Sequence, residues 1–463
     1  MTSPHASVQL RRTVLSSFIG NTIEFYDFLL YGLASALVFG DLFFPSLSPF
    51  AGTLASFATF GIGFIARPLG GFVFGHLGDT IGRKTTLITT LCGMGAATFA
   101  VGLLPTYDTI GIWAPVLLVV LRFVQGFMVG GEWGGAMLMV VENAPAHRRG
   151  FFSAWPNTGG FSGQLLATGM FALMGILPDA QFQSWGWRVP FLCSAVLVGV
   201  GLWMRGRLGE SEVFEQVKQE EGKAKAPLLD VLRHDWRSVL LIMSLRFSES
   251  VPFFLLTVFA VSYGPEHLGI PKATLTTAIM VASVLAFPAH GFFGALSDRV
   301  GRRPVYVYGA LAAAVLAFPA FWLLKSGSAV LIVLAYCLVI NLAHNACNAV
   351  QPALFTELFG SKVRYSGASV GAQLGAIVAG GLTPFIATAL TGGGDNWVPV
   401  AAYASAVALV SAAAAYFFTP ETSRRDLVDT SSAMAAGPEP APAPDTQADT
   451  KAAEVPETGA VAP

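Results

Sequence analysis

Charge is what this chain of 463 residues is short of: 12% is Asp, Glu, Lys or Arg and 54% is hydrophobic, against roughly 25% charge in an average soluble domain. A soluble fold would have to hide apolar runs of about twenty residues in each of its domains. A bilayer accommodates such runs directly, at about 1.5 Å rise per residue. The net charge of −1 gives no reason to expect a nucleic-acid partner. Cysteine is scarce as well: Cys92, Cys193, Cys337 and Cys347 lie inside apolar segments without metal or redox spacing, so neither a metal nor another cofactor is expected. The chain also lacks a G-x-x-x-x-G-K-[ST] loop, an H-E-x-x-H motif and any Cys/His cluster, which argues against an ATP-driven pump and against an intramembrane enzyme. An apparent dinucleotide fingerprint, Gly61-x-Gly63-x-x-Ala66, sits inside an apolar run without its acidic partner and carries no weight.

What is present is a series of apolar runs bounded by charge or by Gly/Pro clusters. They predict an all-α membrane protein with spans at 13–39, 52–75, 85–105, 115–141, 151–177, 188–205, 238–263, 273–297, 305–325, 329–357, 366–390 and 398–419. The first run follows Arg11 and Arg12 but continues past the length of a signal peptide and contains Glu24 and Asp27, so it reads as a retained helix. One long hydrophilic connection, 206–237, separates an N-terminal six-helix half (1–205) from a C-terminal one (238–419), and reads as a solvated cytoplasmic linker. Residues 420–463 read as a disordered, Ala/Pro-rich tail. Most Arg and Lys flanking the spans fall on one side, with Arg188, Lys272 and Lys325 on the other, so both termini are expected in the cytoplasm of a plasma (inner) membrane protein.

Two features are written twice. Gly75 to Lys84 (GHLGDTIGRK) recurs as Gly294 to Arg303 (GALSDRVGRR), with Gly75, Asp79, Gly82, Arg83 and Lys84 matched by Gly294, Asp298, Gly301, Arg302 and Arg303. Glu142 to Arg149 recurs as Glu357 to Arg364 at a closely similar offset. Two separate matches indicate an internal duplication, the arrangement of carriers whose halves meet around a midplane cavity. The first pair of segments should form the connection between spans two and three, and between eight and nine. Gly82 and Gly301 would allow the turn, the aspartates would accept from helix-end amides, and the basic residues would hold a neighbouring helix. Either this is a turn with cytoplasmic charge or it is a latch between helices that part during opening.

The repeated G-x-L-x-D-x-x-G-R-[KR] resembles the loop motif of the major facilitator superfamily. The segments IEFYDFLLYG, IARPLGGFVFGHLGD, LRFVQGFMVGGEWGGA and ELFGSKVRYSGASVG are similar to its metabolite:proton symporter family, over about residues 13–419. That resemblance implies twelve transmembrane helices in two pseudo-symmetric halves and proton-coupled carriage of compounds such as shikimate, 2-oxoglutarate, citrate, or proline and betaine. It also implies a part in proton coupling or anion binding for Arg122, in the R-x-x-Q-G pattern with Gln125 and Gly126.

Ionisable residues inside the spans are the candidates for chemistry, since one at a helix centre costs roughly 2.5–3.5 kcal/mol on insertion scales. Glu24, Asp27, Glu132 and Glu249 stand against Arg67, Arg122 and Arg246, which leaves one carboxylate over. A carboxylate without a counter-charge away from water takes up a proton. Glu24, Asp27 and Glu132 are the candidates, with Arg122 beside them. Asn21, Glu24, Phe28 and Tyr31 share a helical face, and Gln125 and Glu132 share another. Arg246 and Glu249 either neutralise each other or face a substrate. Asn157 with Gln164, and Asn341, Asn345 and Asn348 with His344 and Gln351 adjacent, form polar stripes that could bind a solute or tie helices together.

The expectation is a secondary active carrier, working as a monomer, that imports a small polar metabolite with protons by alternating access. An organic acid is favoured because the tail lacks the heptad coil of osmosensing betaine and proline carriers. The alternatives are a proline/betaine-type carrier, efflux or uniport of a neutral compound, and a membrane sensor.

Overall fold

A computed structural model describes residues 4–81, 83–130, 133–206, 231, 233–361, 363–427 and 432–434. The side chains of residues 4–9, 75–76, 78–81, 83–84, 87, 133–136 and 204–206 fall outside the description. Of the expected site residues, Gly82 and Glu132 lie outside the described residues, as do the side chains of Asp79, Arg83 and Lys84 and the surroundings of Gly75.

Among the described residues there is no strand. The chain runs through twelve spanning helices. The first half contains α1 (Pro4–Leu37), α2 (Pro49–Ile81), α3 (Arg83–Leu103), α4 (Trp113–Val129 with Trp133–Asn143), α5 (Arg149–Met174) and α6 (Arg188–Gly206). The second contains α7 (Trp236–His267), α8 (Lys272–Val300), α9 (Arg302–Lys325), α10 (Ala329–Glu357), α11 (Arg364–Thr391) and α12 (Val398–Phe418). Seven of these are long and apolar enough to cross a membrane by themselves, six of them in the second half. In the first half α1 carries Arg11, Arg12, Glu24 and Asp27 and α5 carries Asn157 and Gln164, so these two helices cross only with their polar faces turned to protein. The outward faces of the spans are apolar, with Phe72 of α2, Val284 and Phe292 of α8 and Val315 and Trp322 of α9 all more than half exposed, as lipid-facing side chains are.

The duplicated segment differs from its expectation in one respect. In the second half GALSDRV is not a loop but the last two turns of α8, and the reversal into α9 is made at Gly301, whose φ of 106° lies where a side chain is strained. A second difference concerns the tail. Part of it, 420–427 with 432–434, lies across the ends of α9, α10 and α11. The Glu421 carboxylate accepts from the Arg302 and Arg303 amides at 2.8 and 3.1 Å, the Thr422 hydroxyl donates to Glu357 at 2.7 Å, and the Ala433 amide donates to the Leu358 carbonyl. Composition alone reads this stretch as disordered because its anchors are single polar groups rather than a buried apolar face.

The halves meet at three levels. At the end bearing the repeated motif, α5 crosses α8 so closely that a Cβ on Gly150 would come within 2.6 Å of the Gly294 carbonyl oxygen. In the middle, Phe254 of α7 packs against Phe28, Phe60 and Phe64 of α1 and α2, with ring centroids 5.7–5.8 Å apart. Towards the opposite end, Gly32 of α1 lies against Val258 of α7, and Gly61 of α2 against Gly381 of α11.

Candidate substrate cavity and proton site

Between these contacts lies a cavity lined from both halves. Its free space for water-sized molecules is about 60 Å³, enough for a few waters at roughly 10–15 Å³ each, so it must widen to admit a metabolite. Helical spacing builds its walls. Residues 21, 24, 25 and 28 of α1 bring Asn21, Glu24, Phe25 and Phe28 onto one face, and residues 246, 249, 250 and 253 of α7 bring Arg246, Glu249, Ser250 and Phe253 onto another. On α10 a π-helical turn, Val339–His344, ends at His344, and His344, Asn348 and Gln351 are spaced four and three apart along the lining. Arg67 from α2, Asn157 from α5 and Gln373 from α11 complete the polar lining.

The charges are held unequally. Glu249 is saturated: one oxygen receives Arg246 at 3.0 Å and the Ser250 hydroxyl at 2.6 Å, and the other receives the Asn348 amide at 3.0 Å. Arg246 also donates to Gln351 at 2.8 Å, and Asn348 continues to His290 of α8, 2.8 Å away. Arg67 is held more loosely. It is 3.9 Å from Glu24, its buried Nε has no hydrogen-bond partner, and its guanidinium lies 4.6 Å over the Phe28 ring.

Behind Phe28 is a second, dry recess lined by Glu24, Asp27, Gly63, Arg67, Arg122 and Gln125 among others. Arg122 donates to Gln125 at 2.6 Å and to the Phe60 carbonyl at 3.4 Å, and its guanidinium lies 4.2 Å over Tyr31 and 4.8 Å from the Phe28 ring centre. Gly63 makes room for it: a Cβ there would meet the Arg122 side chain at 2.5 Å. Asp27 is fully buried, and neither carboxylate oxygen has a hydrogen-bond partner or an ion pair among the described residues. A bare anion in such a place is costly, whereas the neutral acid is not. Glu24, Phe28 and Arg67 thus line both spaces, with Arg246 and Glu249 on the cavity side and Asp27 and Arg122 on the recess side.

Of the expected residues, the structure brings Asn21, Glu24, Asn157, Arg246 and Glu249 into one cavity and Asp27, Arg122 and Gln125 into the recess beside it. Tyr31, Gln164 and Asn345 are in neither. The Tyr31 hydroxyl donates to Thr59, Gln164 is buried with its amide unpartnered, and the Asn345 amide donates to Asn341. Arg67, Gln373 and His290 were not among the expected site residues, whereas Asn348 and His344 belong to the expected polar stripe and line the cavity. Arg67 had a signal, a lone cation in an apolar run. Gln373 stood out only as an amide amid Gly and Ala, and nothing local marked His290.

At the motif end the polar contacts are dense. Asp298 accepts from the Gly150 and Phe151 amides at 2.8 and 2.9 Å, where α5 begins, and from Arg302 at 2.7 Å. Arg302 is wholly buried and also pairs with Glu357 at 3.3 Å. Arg149 donates to the Arg425 carbonyl and Arg364 to the Leu427 carbonyl, each at 2.8 Å, while Arg303 donates to the Tyr416 carbonyl and Glu142 is exposed.

Two six-helix halves enclosing a polar cavity, with a dense network of acidic and basic side chains at one end, are the architecture of a transporter. The chain belongs to the Major Facilitator Superfamily, whose model matches residues 18–370. Among curated relatives, the shikimate transporter of Escherichia coli K12 is 46% identical over 406 residues, covering 87% of this chain and 93% of that protein. An inner membrane metabolite transport protein of the same strain is 41% identical over 81% of this chain and 87% of its own length. The proline/betaine transporter of that strain is 36% identical over 87% and 82%. The fold matches that of the E. coli xylose transporter in its partially occluded inward-open conformation, with a TM-score of 0.71 at 17% identity over 90% of this chain and 99% of that one.

Proposed function

We propose that this carrier imports a small organic acid together with protons across the inner membrane by alternating access, with both termini and the repeated motif on the cytoplasmic side. The carrying observation is the division of labour across Phe28. On one side is a cavity between the halves containing Arg67 and Arg246, cations suited to a carboxylate. On the other is Asp27, buried beside Arg122 without a bond to it. Asp27 is the proton site in this reading, and Arg122 responds to its charge. Glu24 links the two compartments through Arg67, and Glu132 is a further acidic candidate. Asn21, Asn157, Gln373 and Glu249 shape the substrate site, with Tyr31 and Gln125 holding Arg122, and Gln164 and Asn345 supporting α5 and α10. Asp298, Arg302 and Glu357 form the cytoplasmic gate, with Arg149, Arg303 and Arg364 fastening its margins and Gly75, Asp79, Gly82, Arg83, Lys84 and Glu142 as their counterparts in the first half.

The organic-acid assignment draws on similarity to the shikimate transporter, and shikimate is the first compound to try. The test is uptake of labelled shikimate and related acids into liposomes containing the purified chain, with and without an inward proton gradient. Accumulation only with the gradient is expected. Equal uptake from a substrate gradient alone would refute the coupling, and accumulation of proline or betaine instead would refute the substrate class.

A further inference from the structure

His344 is a cavity residue whose hydrogen-bonding polarity can be read from its surroundings. Its ring is stacked on Phe253 at 4.9 Å and edge-on to Phe161 at 5.8 Å, so its plane is fixed. Nδ1 lies 2.8 Å from the Glu249 carbonyl oxygen and 3.8 Å from a Glu249 carboxylate oxygen. Both atoms can only accept, so the ring proton resides on Nδ1. In that tautomer Nε2 offers a lone pair, and it makes no hydrogen bond among the described residues although the ring lines the cavity.

The acceptors of Glu249 and Gln351 in the same lining are already engaged. Glu249 is saturated by Arg246, Ser250 and Asn348, and the Gln351 oxygen receives Arg246. An acceptor whose direction is fixed asks the solute for a hydrogen-bond donor. Two guanidiniums, Arg67 and Arg246, line the same cavity and suit a carboxylate on that solute. A hydroxyl on the same organic acid can supply the donor.

We propose that His344 accepts a hydrogen bond at Nε2 from a hydroxyl of the substrate, so that the carrier selects hydroxylated carboxylates over their deoxy analogues. This rests on the reading of the cavity as an organic-acid site. It goes further in naming the group that reads the substrate and the feature that is read.

The test is competition against labelled shikimate in proteoliposomes, comparing unlabelled shikimate with cyclohex-1-ene-1-carboxylate, which has the same ring and carboxylate without hydroxyls. Wild type should need at least roughly tenfold more of the deoxy acid for half-inhibition, the size expected for one neutral hydrogen bond. His344→Phe keeps a ring between Phe253 and Phe161 but removes the acceptor. It should narrow that ratio by roughly tenfold, with the loss in KM for shikimate rather than in turnover. His344→Gln brings an amide oxygen towards the position of Nε2 and should restore much of the ratio, which a merely misfolded site would not do.

If the wild type fails to discriminate, or if His344→Phe discriminates as wild type does, the proposal is overturned while the carrier reading stands. If wild type takes up neither shikimate nor malate nor lactate under a proton gradient, the carrier reading falls and this proposal falls with it.

Discussion

The motif end and the interior of this carrier use the same residue types, Asp, Glu and Arg, in opposite ways. At the motif end Asp298, Arg302 and Glu357 are nearly free of solvent, and all three are tied in: Asp298 takes two backbone amides and a guanidinium, and Arg302 bridges it to Glu357. In the interior, among the described residues, Asp27 lies beside Thr98 and Arg122 without a close hydrogen bond on either oxygen, and the Nε atoms of Arg67 and Arg246 are unpaired. Satisfied charges hold one arrangement strongly, because breaking one leaves its partner buried and uncompensated. Unsatisfied charges gain most from whatever arrives. On the proposed reading, a buried polar group left open is where a solute or a proton is taken up, and a closed network is what must be broken to let it pass.

The comparison breaks most directly at Asp27. Asp27→Asn should reduce gradient-driven accumulation to the leak level while leaving exchange of internal for external substrate, because the amide mimics the neutral acid permanently. Loss of both activities would remove Asp27 from coupling. Next in size is Arg302→Ala, which leaves Glu357 and Asp298 buried without their cation and should cost about 3–5 kcal/mol. Denaturation of the purified protein in detergent measures this. A loss under about 1 kcal/mol would mean the latch is not the closed network its distances describe. A smaller effect is expected for Gly150→Ala. Its Cβ would meet the Gly294 carbonyl oxygen at 2.6 Å, which should favour the form open at this end. A single cysteine placed in the cavity should then react faster with a thiol reagent added from the motif side.

How much of this was legible in sequence follows from how local each cause is. The twelve spans and the duplication were, because an apolar run and a repeated string each carry their signal within a few residues. Glu24, Arg246 and Glu249 were, because charge in such a run needs a reason. Arg122 was legible as a charge but not as a resident of a dry recess, since that depends on Gly63 of another helix leaving space for it. Asn157 and Gln164 share a helical face and looked equivalent. Two turns, about 10 Å of helix, separate a residue that lines the cavity from one buried away from it. The helical continuation of α8 through GALSDRV was hidden because its glycine and aspartate read as turn formers. Both are used instead for contact with α5, Gly294 by lacking a side chain and Asp298 by accepting the α5 amides.

The mildest expected effect lies where the chain leaves α12, and it sharpens the contrast by locating the edge of the satisfied network. Glu421 is exposed, yet its carboxylate accepts from the first two amides of α9 and the next residue's hydroxyl reaches Glu357. Amides at a helix start have no partner within the helix, and a side chain that accepts from them is worth about 0.5–2 kcal/mol. Glu421→Ala should therefore cost about 1 kcal/mol in the same denaturation assay, with high salt reducing the difference, since the interaction is partly with the α9 dipole at an exposed site. If Glu421 acts only as a helix cap, its cost adds to that of Arg302→Ala. If instead it holds the strap that presents Thr422 to Glu357, the double variant should lose less than the two single losses combined, because Arg302→Ala has already disrupted the network that the strap serves. Additive losses would confine the network to Asp298, Arg302 and Glu357, and sub-additive losses would extend it to the chain beyond α12.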